Sequence, residues 1–111
     1  MVKNVIDTRT AEEKLASLRN MLDCIDRNLL TLLGQRAKLV DDIKKIKALH
    51  WFPIVDVQRR NEKLQEWVQI GQAEWLCEEF ASAMYTCIHD HAVKIQQEVP
   101  ADGQEVTKDK E

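Results

Sequence analysis

Aliphatic residues recur in alternating steps of three and four along the first half of the chain. The positions on this stripe are Leu15, Leu18, Leu22, Ile25, Leu29, Leu32, Arg36, Leu39, Ile43 and Ile46. All except Arg36 are aliphatic, which is typical of one face of a helix that packs against other helices. Thr10 and Glu13 have the spacing of a capping box, so the pattern predicts a helix from about Ala11 to Leu49.

The predicted first helix is too long for a compact monomer. At the rise of an α-helix it would extend about 58 Å, whereas a compact chain of 111 residues would be only about 35 Å across. Its apolar stripe therefore needs a partner chain, and we expect a homodimer with swapped or intertwined helices.

Pro53 ends the first helix, because it lacks the N–H group that would continue it. Asp56 is placed to cap a second helix from Val57 to Ile70, and Gly71 stands where a C-terminal glycine cap belongs. The expected inward-facing positions of this helix are Val57, Leu64, Trp67 and Val68.

A third helix is predicted from about Glu74 to Glu98. Its apolar stripe, at helical spacing, consists of Leu76, Phe80, Ala83, Met84, Cys87, Ile88, His91 and Ile95. The fold class expected is therefore all-α, a three-helix protomer with one very long N-terminal helix in an intertwined homodimer. We expect an N-terminal extension over residues 1–10, a helical domain over 11–98 and a disordered polar tail over 99–111.

Composition narrows the function classes. The net charge of −3 argues against a general nucleic-acid binder, and no apolar run approaches a membrane span or the core of a signal peptide. We therefore expect a cytoplasmic protein without membrane contact. Cys24, Cys77 and Cys87 lack CxxC spacing and are expected to be free thiols. His89 and His91 would point in different directions on a helix, so no metal site is expected.

Cationic residues form the most informative pattern. Arg36 interrupts the aliphatic stripe; it either sets the register, reaches out to water, or meets an anion. Lys47 follows eleven residues later, close to three helical turns, so both project from nearly one face about 16 Å apart. Arg19 lies about 25 Å before Arg36 and about 100° around the helix. In an antiparallel dimer, Arg19 could reach the partner's site.

Two segments carry a resemblance to a known family. The first is Leu18-Arg19-x-x-Leu22-x-x-Ile25-Asp26-x-x-Leu29-Leu30-x-Leu32-Leu33-x-x-Arg36, and the second, after Lys47, is Pro53-Ile54-x-Asp56-x-x-Arg59. With Gly71 and Gln96, this pattern resembles the all-helical (type II) chorismate mutases over about Leu15 to Gln97.

The resemblance implies rearrangement of chorismate to prephenate, in phenylalanine and tyrosine biosynthesis, by a dimer with two equivalent sites. The substrate is a small dicarboxylate, and the reaction needs no cofactor and no metal. By this resemblance, Arg19 reaches a substrate carboxylate across the dimer interface, while Arg36 and Arg59 hold the carboxylates within the chain.

The remaining roles also come from the resemblance. Lys47 and Gln96 would donate hydrogen bonds to the ether oxygen that leaves C5 of the substrate ring. Asp56 would shape the site near the ring hydroxyl.

Two residues depart from the family pattern. Arg60 stands where a glutamate is typical beside the ring hydroxyl, and Ala92 stands where a hydroxyl residue is common. These departures indicate either modest mutase activity or a related substrate, which makes the alternatives isochorismate pyruvate lyase or an aminated-chorismate (4-amino-4-deoxychorismate) mutase on the same fold. A third alternative is that Arg60 only points to solvent. A helical dimerisation or adaptor module would also explain the stripe, but it would give no reason for Arg36 in the stripe or for its alignment with Lys47 and Arg59.

Overall fold

The computed structural model describes residues 6–98, and within them the chain is all-helical. Three helices follow one another: α1 (Ala11–His50), α2 (Val57–Ala73) and α3 (Glu78–Gln97). No strand occurs in residues 6–98, so the all-α class with a long first helix is confirmed. The first five residues of the expected extension and the expected tail over 99–111 lie outside the described residues. The domain boundaries stay a prediction.

The capping box at the start of α1 is confirmed. The Glu13 N–H donates to Thr10 Oγ1 at 3.1 Å, and the Thr10 N–H donates to Glu13 Oε1 at 2.8 Å. These reciprocal bonds satisfy two donors near the first turn and fix where the helix begins.

The chain divides into two compact units, Met1–Arg36 and Ala37–Glu111. In the first unit the aliphatic stripe of α1 is exposed. The exposed fractions are 57% for Leu22, 60% for Ile25 and 47% for Leu29. This part of α1 presents an apolar face that its own unit does not cover.

In the second unit, the rest of the unit covers a face of α1 that differs from the aliphatic stripe. Val40 is only 7% exposed, and Lys44 and Lys47 on the same face are half-buried. The aliphatic positions Ile43 and Ile46 remain 45% and 54% exposed. The face of α1 covered within this unit is therefore not the aliphatic stripe.

Helices α2 and α3 pack against each other around Tyr85, which is 4% exposed. The Trp67 and Tyr85 rings meet edge to face at 5.2 Å, and Tyr85 stacks on His89 at 5.7 Å. Such aromatic pairs add stability beyond the area they bury. Trp67, one of the inward-facing positions expected on α2, therefore packs against α3.

The prediction that Gly71 caps α2 was wrong. The helix continues to Ala73, and Gly71 is buried three residues before the cap, Glu74. A Cβ on Gly71 would lie 3.0 Å from the Cβ of Ala81. The glycine therefore favours the close approach of α2 and α3 rather than a left-handed turn.

Replacing Gly71 with alanine is expected to destabilise the fold by about 1 kcal/mol. Overpacking costs about 1–3 kcal/mol and outweighs the gain of up to about 1 kcal/mol in helix propensity. Gly34→Ala is the matched control, because nothing lies within 4 Å of its added Cβ, and it should stabilise. Urea unfolding at one protein concentration measures both. A Gly71→Ala variant as stable as the wild type would contradict this account.

Two tryptophans occupy the left-handed positions where helices usually place glycine. Trp51 follows α1 with φ 60°, and Trp75 follows the cap of α2 with φ 69°. The N–H of the next residue in each case bonds back into the helix, Phe52 to the Lys47 carbonyl and Leu76 to the Gly71 carbonyl, both at 2.9 Å. This is the Schellman ending, and a non-glycine residue in it costs about 1 kcal/mol or more. Neither Trp51 nor Trp75 packs against the described residues 6–98: they are 92% and 99% exposed.

Helix α3 begins at Glu78, one turn later than predicted, because Trp75 is left-handed and Cys77 is extended. Its predicted stripe was partly wrong. Ala81, Tyr85 and Ala92 are the buried residues, whereas Phe80, Ala83, Cys87 and His91 are exposed. Val57, predicted to face inward from α2, is 63% exposed.

Candidate active site

Lys47 is held in place at the end of α1. Its Nζ donates to the carbonyl oxygen of Ile54 at 2.6 Å, in a partly buried position. Ile54 belongs to the connection between α1 and α2, so this bond fixes both the lysine and the connection. An ammonium group has three N–H donors, and this bond leaves two of them available for a ligand.

The predicted residues at the start of α2 are placed by the helix cap. Asp56 Oδ1 accepts from the Arg59 N–H at 3.0 Å, so the predicted N-cap is confirmed. Asp56 and Arg59 are exposed, whereas Arg60 is half-buried. Because one oxygen of Asp56 is engaged by the backbone, its first role here is to begin α2.

Ala92 and Gln96 lie one turn apart near the end of α3. Ala92 is 8% exposed, so its methyl group is packed rather than presented to solvent. The Gln96 Nε2 donates to the Ala92 carbonyl at 3.3 Å, and its Oε1 is buried with no hydrogen-bond partner among the described residues. The Gln96 amide thus keeps one N–H and one oxygen without a protein partner in this part of the chain.

Arg19 and Arg36 lie on α1 in the first unit. Arg19 is exposed, and Arg36 is half-buried. The aliphatic members of the same stripe, including Leu32 and Leu39, are all exposed. Arg36 is therefore more covered than the aliphatic residues whose stripe it interrupts.

The candidate arginines share one electrostatic property. Within residues 6–98, none of them forms an ion pair, whereas Arg9, Lys45 and Lys63 each pair with a carboxylate elsewhere. The set is Arg19, Arg36, Arg59 and Arg60. Guanidinium groups without a carboxylate partner suit bidentate recognition of a ligand's carboxylates.

Within the second unit, hydrogen bonds connect the end of α1 to both neighbouring segments. Lys47 bonds to Ile54, and Lys44, one turn earlier, donates to the carbonyl of Glu98, two residues beyond Gln96. The structure thus places Lys47 beside the segment that leads into Asp56, and it ties α1 to the end of α3. Sequence reasoning missed Lys44, although its spacing of three residues from Lys47 puts both on one face.

Comparison with known proteins now identifies the family. The model of the family described as "Chorismate mutase type II" matches residues 18–97, which include every candidate site residue. The chain belongs to the chorismate mutase type II family. The resemblance inferred from the sequence is confirmed.

The chain is also similar to several proteins named bifunctional chorismate mutase/prephenate dehydratase. It is 30% identical to the protein of Escherichia coli (strain K12) over 88 residues, covering 79% of this chain and 23% of that protein. It is 28% identical to the protein of Enterobacter agglomerans over 86 residues, covering 78% of this chain and 22% of that protein. The chain therefore spans about a quarter of the length of the curated relatives it matches.

The described part of this chorismate mutase type II chain contains no helix long and apolar enough to cross a membrane. Its cysteines, Cys24, Cys77 and Cys87, are free and exposed. The thiol groups predicted from their spacing are thus confirmed as unpaired.

Proposed function

We propose that this chain is a chorismate mutase that converts chorismate to prephenate. The observation that carries the proposal is the family match over residues 18–97, which includes all the candidate cations and Gln96. The candidate arginines, which form no ion pair within residues 6–98, and the half-buried Lys47 support it, because they offer positive charge to a dicarboxylate.

The reaction makes few chemical demands. The bond between the ether oxygen and C5 breaks while a carbon–carbon bond forms between the enolpyruvyl group and the ring, so product and substrate are isomers. Neither a nucleophile nor a cofactor is required. The enzyme must hold the two reacting ends together and stabilise partial negative charge on the ether oxygen.

The residues divide between these two tasks. Arg36 and Arg59 hold the substrate carboxylates, and clamping them selects the reactive conformer. Lys47 and Gln96 donate to the ether oxygen. The hydrogen bond from Lys47 to Ile54 supports this role, because a donor held before the reaction needs little reorganisation during it.

The proposal includes a homodimer in which Arg19 completes the partner's site. The stripe on α1 supports it: Leu18, Leu22 and Ile25 are 57%, 57% and 60% exposed in the single chain. Exposure of so many aliphatic side chains along one helix is unfavourable in water, and pairing with a second stripe would bury them. The partner is a second copy of this chain, and neither nucleic acid nor membrane enters the proposal.

A cytoplasmic location is also part of the proposal. Exposed free thiols such as Cys24 and Cys77 are typical of a reducing compartment.

Arg60 favours a second candidate substrate. It is half-buried and, within residues 6–98, forms no ion pair. With a cation beside Arg59 instead of the glutamate typical of the family, a substituent on the substrate ring would face positive rather than negative charge. Isochorismate, with elimination of pyruvate, or an aminated chorismate is therefore the alternative substrate for the same site.

The test incubates purified protein separately with chorismate and with isochorismate, and identifies products by mass and absorbance. Prephenate from chorismate is the expected result. Pyruvate and salicylate from isochorismate alone would replace the mutase by a lyase and make Arg60 a specificity residue. The absence of both products, with no thermal stabilisation by a chorismate-like dicarboxylate, would favour the adaptor.

A further inference from the structure

Lys44 makes a long-range contact that no role assigned so far explains. It is half-buried on α1, and its Nζ donates to the carbonyl oxygen of Glu98. Val40 and Lys47 lie one turn to either side of it on the covered face of α1. The three side chains at this face are therefore a packed valine and two lysines that each bind a backbone carbonyl.

The acceptor of this bond marks the end of α3. Glu98 is the C-cap, with extended backbone angles, and its N–H bonds back to the carbonyls of Lys94 and Ile95. Carbonyls at a helix C-terminus lack partners inside the helix and carry its partial negative charge. A lysine ammonium satisfies such a group and fixes the last turn against α1.

Gln96 depends on that last turn. Within residues 6–98, its side chain donates only to its own helix, from Nε2 to the Ala92 carbonyl at 3.3 Å, and its buried Oε1 has no partner there. Nothing in these bonds holds the amide relative to α1, where Lys47 lies. The last turn of a helix is also where fraying begins.

We propose that Lys44 is a positioning residue for Gln96. By holding the Glu98 carbonyl, it fixes the end of α3 against α1 and so sets the Gln96 amide relative to Lys47. The inference rests on the proposed function of Gln96 as a donor to the ether oxygen. Small misplacements of a catalytic group cost large factors in rate, so the contribution of Lys44 should be measurable in kcat.

The test is a double-mutant cycle on kcat and KM with chorismate. Lys44→Met keeps the length of the side chain and removes the donor, and we expect about a tenfold fall in kcat with little change in KM. Lys44→Arg should restore most of the loss, because it returns a cationic donor. Lys45→Met is the matched control one residue away, since within residues 6–98 Lys45 pairs only with Asp41, at the surface.

The second arm separates positioning from general support of the fold. If Lys44 acts through Gln96, Lys44→Met should cost little further activity in a Gln96→Ala background. Hydrogen exchange of the amides of residues 96–98 should also speed up in Lys44→Met and not in Lys45→Met. An equal loss in both backgrounds, or unchanged exchange, would overturn the inference.

The outcomes for Lys44 and for the proposed function are distinct. If the wild-type chain has no mutase activity, the proposed function is wrong. An active wild-type chain whose Lys44→Met variant keeps the full kcat would remove only the role of Lys44.

Discussion

Replacing Lys47 with alanine is expected to lower kcat for chorismate rearrangement by about 10²–10³-fold, the usual effect of removing one preorganised donor from developing negative charge. The ammonium group is partly buried and already held by the Ile54 carbonyl at 2.6 Å. Alanine removes both the charge and the anchor. Activity should therefore fall to near the limit of detection, while the dimer stays intact.

Arg36→Ala should show the complementary defect. Arg36 is half-buried and has no ion-pair partner within residues 6–98, so its proposed task is to hold a substrate carboxylate. Loss of a carboxylate clamp weakens binding and the selection of the reactive conformer, so KM should rise as kcat falls.

Steady-state kinetics, with circular dichroism and size-exclusion chromatography for folding and assembly, check both variants. Lys45→Ala is the control: it lies on the same helix, is 68% exposed at its side chain and pairs with Asp41 at 3.2 Å. It should keep wild-type kinetics. Wild-type turnover in both Lys47→Ala and Arg36→Ala would refute the assignment of the site.

The sequence predicted those parts of the fold that depend on local spacing. The capping box at Thr10 and the cap at Asp56 are side-chain interactions over three residues, and both are confirmed. Helix α1 was found from its stripe and ends one residue beyond the prediction. Local patterns are informative here because the forces that start and stop these helices act within one turn.

A tertiary contact explains one wrong prediction, and an unusual helix ending explains another. Gly71 was predicted to be a cap, but it is buried where α3 approaches so closely that an added Cβ would lie only 3.0 Å from the Cβ of Ala81. Trp75, not Gly71, has the left-handed conformation, and α3 therefore begins later than predicted. Neither result is visible in periodicity: the burial of Gly71 depends on Ala81 from another helix, and a tryptophan occupies a left-handed position that usually belongs to glycine.

The same limit applies to the candidate site. Charge and spacing singled out Arg36 and Lys47, but they could not predict that Lys47 would bind the Ile54 carbonyl or that Lys44 would reach Glu98. Acceptors of this kind are backbone atoms, which have no signature in the sequence. The side chains of such a site can therefore be proposed from sequence, whereas the contacts that orient them require the fold.

Mixing two inactive variants is expected to restore activity if Arg19 acts across a dimer interface. Arg19→Ala should be inactive because each site loses the arginine supplied by its partner, and Lys47→Ala should be inactive because each site loses its own lysine. In a mixed dimer, the site on the Arg19→Ala chain keeps its own Lys47 and receives Arg19 from the other chain. The second site of that dimer lacks both groups.

The expected recovery follows from random pairing of the two variants. Half of the dimers would be mixed, and each would have one complete site of two, so the mixture should show about a quarter of wild-type activity. The chains must exchange, so the variants are unfolded together in urea and refolded as a mixture, with each variant refolded alone as the control.

The result distinguishes two roles of Arg19, in the site of its own chain or in the site of its partner. The exposure of Arg19 is compatible with either role. If Arg19 served the site of its own chain, one site of the mixed dimer would lack Arg19 and the other would lack Lys47, and activity would not return. Recovery would also require the exposed stripe to form the interface. Ile25→Glu places a charge on that stripe, where Ile25 is 60% exposed in the single chain, and it should abolish both the dimer and the complementation. Recovery that persists in a monomeric Ile25→Glu background would contradict a site shared between two chains.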